Sequence, residues 1–314
     1  MSALIPDAGV SASLLVTDLD GTLLDSNARL SGDNRKVLES LGQARTVRMV
    51  ATGRSLHSAC KVIDPEFPLD YLAFSSGAGI VAWPSGELLF TCEMDSDLAD
   101  RLIRRLDSLA VDFTVHHAPP DTHRCYVHRA SRSAPNADFE DRLARYAGFI
   151  EELSQATTAA RTDAGVGQLL AIEPPGARSC LDTIARDFPE VNVVRTTSPL
   201  DHASTWVEIF PSGTSKSQAS EWVRRRHRID LGATFAIGND YNDLDLLEWG
   251  RHSFVVSGAP ASMRERFETV ASNDEAGFAE AVRRWQARRL SDSKRRADAE
   301  RCRESSEGSS RSLG

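Results

Sequence analysis

The chain is poor in cysteine: Cys60, Cys92, Cys125, Cys180 and Cys302 are its five, odd in number and without a Cys-x-x-Cys pair. That scatter points to neither a disulfide framework nor a zinc cluster. No apolar run approaches the ~18 residues that would suggest a bilayer span. The first dozen residues also lack the basic and hydrophobic blocks of a secretion signal. A cytoplasmic, soluble protein with no membrane partner is therefore expected. Positive charge is not in excess either. The 37 Lys and Arg against 45 Asp and Glu leave a formal charge of -8, which speaks against a general nucleic-acid binder. No internal repeat is evident. What remains is a globular chain of 314 residues, 41% of them hydrophobic, long enough for two domains of ordinary size and a large core.

The most informative stretch is Leu14-Leu15-Val16-Thr17-Asp18-Leu19-Asp20-Gly21-Thr22-Leu23-Leu24. An apolar run suited to a buried parallel strand leads into two carboxylates at i and i+2, then Gly and Thr, a composition that ends a strand in a polar turn. In an open parallel sheet, ligands bind at the carboxyl ends of strands. Residues i and i+2 share a direction, so Asp18 and Asp20 are expected to converge, with Gly21 allowing close backbone approach. Paired carboxylates repel unless a cation lies between them, and Mg2+ is the natural partner for hard oxygen ligands. The bland alternative is a solvated Asp-Gly turn.

Residues 1–13 are small and weakly patterned and read as a loose leader. Ser31 is placed to cap a helix over Val37, Leu38 and Leu41, and Thr46 to Ala51 reads as a strand delivering Thr52-Gly53-Arg54. A short helix from Leu56 to Val62 precedes a strand from Tyr71 to Ser75. Such alternation implies parallel pairing with right-handed crossovers. From Ile80 the rhythm changes to a hairpin around Pro84-Ser85-Gly86, then mixed helices and strands. This predicts an α+β insert over 80–210 within a discontinuous α/β core of 14–79 and 211–285. The core resumes with Lys216 at a helix start, a strand from Thr234 to Ile237 and the turn Gly238-Asn239-Asp240-Tyr241-Asn242-Asp243. The charged stretch 291–314 has too few apolar residues to offset the entropy of ordering and reads as a disordered tail.

Asp18/Asp20, Thr52, Lys216 and Asn239 to Asp243 fall, in that order, at strand ends or helix starts of one sheet. Together they resemble the four motifs of the haloacid dehalogenase superfamily. The insert looks like the C2 cap of its Cof-type subgroup, whose approach to the lysine Glu208-Ile209-Phe210-Pro211-Ser212-Gly213-Thr214-Ser215-Lys216 also resembles. The resemblance implies a Rossmann-like doubly wound parallel sheet with an inserted cap. It also implies an Mg2+-dependent phosphatase acting on a small phosphorylated metabolite, a sugar phosphate, through an aspartyl-phosphate. Asp18 is carried over as nucleophile and Asp20 as general acid and base. Thr52, Gly53, Arg54, Lys216 and Asn242 become the phosphoryl and substrate contacts, and Asp18, Asp20, Asn239 and Asp243 the metal set.

One departure stands out. The family's fourth motif usually begins Gly-Asp, whereas this chain has Gly238-Asn239, leaving Asp240 as the alternative ligand. A phosphosugar mutase and a catalytically weakened ligand-binding protein are the rival functions. Thr52 could instead cap a helix, and Arg54 and Lys216 could be ordinary surface charges. His116, His117 and His123 lack metal-ligand spacing and read as solvent-facing or substrate-facing, and Trp222 and Trp249 as core packing.

Overall fold

The computed structural model describes residues 13–131, 135–153, 165–198 and 200–291. Five strands come first: β1 (Ser13–Thr17), β2 (Thr46–Ala51), β3 (Tyr71–Phe74), β4 (Gly79–Ala82) and β5 (Leu88–Thr91). A second group follows, β6 (Asp112–His117), β7 (Cys125–His128), β8 (Ile150–Glu152), β9 (Val166–Glu173), β10 (Val191–Thr197) and β11 (Thr205–Pro211). The chain then returns through β12 (Thr234–Gly238), β13 (His252–Val256) and β14 (Glu268–Val270). The strands form an eight-stranded sheet in the order β14-β13-β12-β1-β2-β3-β4-β5 and a six-stranded sheet in the order β10-β11-β9-β6-β7-β8. All pairings from β14 to β3 are parallel.

β1 sits in the middle of the first sheet with both faces covered, which is why it is apolar without alternation. Successive side chains point to opposite faces. Leu15 accordingly joins Val50, Phe235 and Trp285 on one face, while Leu14 and Val16 join Met49, Ala236 and Val255 on the other. Trp222 and Trp249 pack against that second cluster, as expected from the sequence. In the six-stranded sheet, Leu98, Leu102 and Leu106 of the helix Ser96–Ser108 pack on Phe113, Val115 and Leu169. The chain is thus an α/β protein: a Rossmann-like, largely parallel sheet with an α+β unit inserted between β5 and β12. Among the described residues no helix is long and apolar enough to cross a membrane.

Several expectations need correction. The hairpin of β4 and β5 does not start the insert's sheet; β4 pairs antiparallel with β3 and extends the first sheet. A hairpin's alternation is the same whichever sheet edge it joins, so pattern alone could not assign it. Ser13 belongs to β1, its hydroxyl 2.9 Å from that of Thr46. In the insert, the helix Leu181–Asp187 follows a Pro174-Pro175-Gly176 turn in which Gly176 has φ +78. The leader before Ser13 and the tail after Ser291 lie outside the described residues.

Candidate active site

Asp18 follows β1 directly, its N–H donating to the Ile237 carbonyl of β12. The chain then leaves the strand through a tight turn over Leu19–Leu23. Gly21 adopts φ +69, and a Cβ there would meet Asn239 Nδ2 at 2.5 Å. A left-handed backbone and close side-chain approach both call for glycine. The same contact places the Asn239 side chain against the Asp18–Gly21 loop.

Asp18 is only 5% exposed, Lys216 1% and Asp243 0%. Lys216 opens the helix Lys216–Arg226, capped by the Ser215 hydroxyl. Its Nζ donates to Asp18 Oδ1 and to Asp243 Oδ1, each at 2.6 Å. The other Asp243 oxygen accepts from the backbone N–H of Asn239 at 2.8 Å and Asp240 at 3.2 Å. Asp243 thus holds its own turn closed in a reciprocal cap with Asp240. Burial, reinforced by the Asp243 charge, pushes the Asp18 carboxyl up to about 7 against the pull of Lys216. Burial also draws Lys216 down, but the charges and hydrogen bonds of Asp18 and Asp243 outweigh it and hold the ammonium above its usual range. Two buried carboxylates share a single ammonium, leaving the cluster one positive charge short.

The two motif carboxylates take different partners, although the Asp20 charge still acts on Asp18. Asp20 faces Arg54, which donates Nε to Oδ2 at 2.6 Å and Nη2 to Oδ1 at 2.7 Å. This bidentate pair raises the Arg54 pKa through the Asp20 hydrogen bond. Asp20 lies in the turn beyond β1, where the two-residue periodicity of a strand no longer applies, and its carboxylate is held by Arg54. Arg54 is therefore committed to Asp20 rather than free toward a substrate.

Thr52 is buried, and its hydroxyl accepts from the Arg54 N–H at 3.1 Å. Ser55, not Thr52, caps the helix Leu56–Ala59. Gly53 neighbours Asn242: a Cβ on Gly53 would lie 3.9 Å from Asn242 Nδ2. Asp240 Oδ1 accepts from the Tyr241 N–H at 2.8 Å, and its carboxylate also takes the Thr197 N–H of β10. Asn239, by contrast, is turned to the Asp18 loop. Among the described residues no three His, Cys, Asp or Glu side chains are grouped as a metal cage.

The left-handed Ser75 and Ser76, φ 47 and 54, lie in the turn between β3 and β4 of the first sheet. Such strain in non-glycine residues concentrates at functional sites. A Cβ on the next residue, Gly77, would lie 2.4 Å from the Ser215 carbonyl, so this turn packs directly beneath the start of the Lys216 helix. Ser75 Oγ lies 2.7 Å from Thr122 Oγ1. Ser76 Oγ donates to Glu208 at 3.5 Å. Glu208 is a residue that sequence reasoning passed over except as part of a stretch. A lone acid in the apolar run of β11 was the available signal. Burial pushes its carboxyl up to about 7 against the Lys216 and Arg142 charges.

Because the folded pKa of Glu208 exceeds the ordinary glutamate value of 4.5, the wild type loses stability as pH rises from that value to about 7. Glu208→Gln is therefore expected to be more stable than wild type at pH 8, by on the order of 2 kcal/mol, with the gain vanishing below pH ~4.5. Urea melts at both pH values check this; a loss at pH 8 would contradict it.

The three insert histidines separate. His116 is buried inside the second sheet, its Nδ1 2.7 Å from the Thr122 carbonyl and its Nε2 2.9 Å from Thr114 Oγ1. Burial first, then Arg142, pushes it down to about 3. It is structural, facing neither solvent nor substrate. His117 stacks on Tyr126, and His123 stacks on His57 of the first unit.

A parallel sheet whose carboxyl edge gathers a buried Asp-Lys-Asp cluster beside an Arg-clamped carboxylate defines an α/β enzyme with an anion-handling site. Residues 15–282 match the family described as haloacid dehalogenase-like hydrolase, and the chain belongs to it. It is 23% identical to 5-amino-6-(5-phospho-D-ribitylamino)uracil phosphatase YwtE of Bacillus subtilis, over 84% of this chain and 95% of the relative. It is also 21% identical to phosphatase YwpJ of the same organism, over 86% and 98%. Among solved structures, it shares its fold with BT1666, a phosphatase of this superfamily from Bacteroides thetaiotaomicron. That comparison has a TM-score of 0.72 at 16% identity, covering 91% of this chain and 99% of that one. The subclass IIB sugar phosphatase BT4131 gives a TM-score of 0.68 at 16% identity, covering 87% and 99%.

Proposed function

We propose that this phosphoric monoester hydrolase is Mg2+-dependent and cleaves a small phosphorylated metabolite, a sugar phosphate, through an aspartyl-phosphate on Asp18. One observation carries the reading: Lys216 Nζ lies 2.6 Å from both Asp18 and Asp243 at the carboxyl edge of the parallel sheet. The names of the relatives above, phosphatases in each case and a sugar phosphatase in one, support it.

Asp18 attacks phosphorus, and the phosphorus–oxygen bond to the leaving group breaks as the Asp18–phosphorus bond forms. Asp20 gives a proton to the departing oxygen, then takes one from the water that attacks phosphorus and frees Asp18. Arg54 fixes the direction of the Asp20 carboxylate through two parallel hydrogen bonds. The Thr52 hydroxyl, the Gly53 N–H, Lys216 and the Asn242 amide receive the phosphoryl oxygens, where fixed donors stabilise developing charge.

The donor set fits a hard cation. The cluster is one positive charge short, and the Asn239 amide packs on the Gly21 turn. The Asp18 carboxylate, the Asp20 backbone carbonyl and the Asn239 amide oxygen would hold Mg2+, with Asp243 bracing the turn behind them. Bound there, Mg2+ would neutralise charge on the phosphoryl group. Asp240 is the alternative ligand, but its carboxylate is occupied by the N–H groups of Tyr241 and Thr197.

Asn239→Asp adds one negative charge at ligand distance and is expected to lower the Mg2+ concentration for half-maximal phosphate release by about 3–10-fold. Maximal rate should change little, because the added charge also opposes the phosphoryl group. Titrating Mg2+ against phosphate release, with an EDTA blank, tests both steps. An unchanged requirement in Asn239→Asp together with a raised one in Asp240→Asn would move the ligand to Asp240. Phosphate release undiminished by EDTA would refute the metal assignment.

A further inference from the structure

Outside the Asp20–Arg54 pair lies a cluster of rings drawn from both units, with no part in the chemistry above. His57, from the helix Leu56–Ala59, stacks on His123 with centroids 4.7 Å apart and planes 20° from parallel. Phe149 sets its edge toward both, 5.0 Å from His57 and 4.7 Å from His123. Two links tie these rings to the leaving-group side of the site. Arg54 Nη1, on the guanidinium that grips Asp20, reaches the carbonyl and hydroxyl of Ser58, the residue after His57. Tyr146, three positions before Phe149, lies close enough to Arg54 to act on its charge.

The chemistry of the cluster is unusual for a mere seam. His57, His123 and Phe149 are all partly exposed, so the rings reach the molecular surface. His123 Nδ1 is nonetheless a buried nitrogen with no hydrogen-bond partner, and a polar atom left in that state calls for one. Burial, then the neighbouring His57, lowers the pKa of His123. Asp121 and Arg124, of opposite sign, are the charged side chains acting on His123. The surroundings thus offer flat apolar faces and one unsatisfied nitrogen, with no net charge.

We propose that His57, His123 and Phe149 form the leaving-group platform and select a phosphate ester of a cyclic polyol over one of an open-chain polyol. This rests on the phosphatase reading above and deepens it. A ring sugar presents a face of C–H groups that lies flat on aromatic rings, and a hydroxyl at its edge satisfies His123 Nδ1. An open-chain polyol of the same carbon number has no such face and must freeze several torsions to imitate one. Selection then comes from differential contact with the leaving group, remote from the phosphorus.

The test compares glucose 6-phosphate with sorbitol 6-phosphate, and uses acetyl phosphate as a ringless activated control. Wild type should favour the ring substrate by about tenfold or more in kcat/KM. In Phe149→Ala and His123→Ala that preference should fall to within about twofold through a rise in KM, with acetyl phosphate turnover retained. Phe149→Tyr, which keeps the ring, should keep the preference. A wild type indifferent to ring closure, a preference that survives both alanine variants, or acetyl phosphate falling in step with the sugar would each overturn the proposal. No phosphate release from any of the three substrates would overturn the phosphatase reading and this proposal together. Release from acetyl phosphate without ring preference would overturn the proposal alone.

Discussion

Asp18→Asn is expected to remove turnover, with phosphate release falling by at least ~10³-fold, because an amide is a far poorer nucleophile than a carboxylate. The fold should survive. Lys216 keeps its 2.6 Å partner in Asp243, so no ammonium is stranded, and one of two buried acids that burial and mutual charge disfavour is made neutral. Stability should therefore equal or exceed that of wild type above pH 7, where the wild-type Asp18 would be ionised. Initial rates and a urea melt on the same preparation separate the two effects. Activity above a few per cent of wild type would refute the nucleophile assignment, and a large loss of stability would show that the inactivity reports misfolding.

Lys216→Met should be the most damaging substitution in both respects. It leaves Asp18 and Asp243, at 5% and 0% exposure, facing each other without a cation. Breaking a buried pair from one side typically costs 3–5 kcal/mol, and here the stranded partners are two like charges. Activity should vanish along with the cation that serves the phosphoryl oxygens. The loss of stability should be greatest at pH 8 and shrink as the pH falls and Asp18, whose carboxyl burial pushes up, takes up its proton. A Lys216→Met protein as stable as wild type at pH 8 would mean that the cluster carries no strain.

The strands of the core could be read from β1, β2 and β12 because buried parallel strands announce themselves as short apolar runs, and their motif residues fall where those runs stop. The insert was visible as a change of rhythm. Its edge was misplaced because β4 and β5 alternate like any hairpin, and only tertiary pairing shows which sheet they extend. Asp18, Lys216 and Asp243 could be proposed from the resemblance of their motifs, but their shared ammonium geometry could not. The partner of Asp20 was missed for a local reason: β1 ends at Thr17 and Asp20 lies in the Leu19–Leu23 turn, where strand periodicity no longer says what a side chain meets. Glu208 and the ring cluster were harder still. His57 and Phe149 are far apart in the chain and carry no motif, so their meeting beside Arg54 is a product of how the insert packs on the core.

The central claim is that phosphate passes through Asp18, and trapping that intermediate tests it most directly. Quenching the enzyme with borohydride during turnover reduces an acyl phosphate to an alcohol, and peptide mass mapping then locates the altered residue. Conversion of Asp18 to homoserine, dependent on substrate and absent without it, is the expected result. Phosphate release with Asp18 unmodified, or conversion at Asp20 or Asp243 instead, would contradict the assignment.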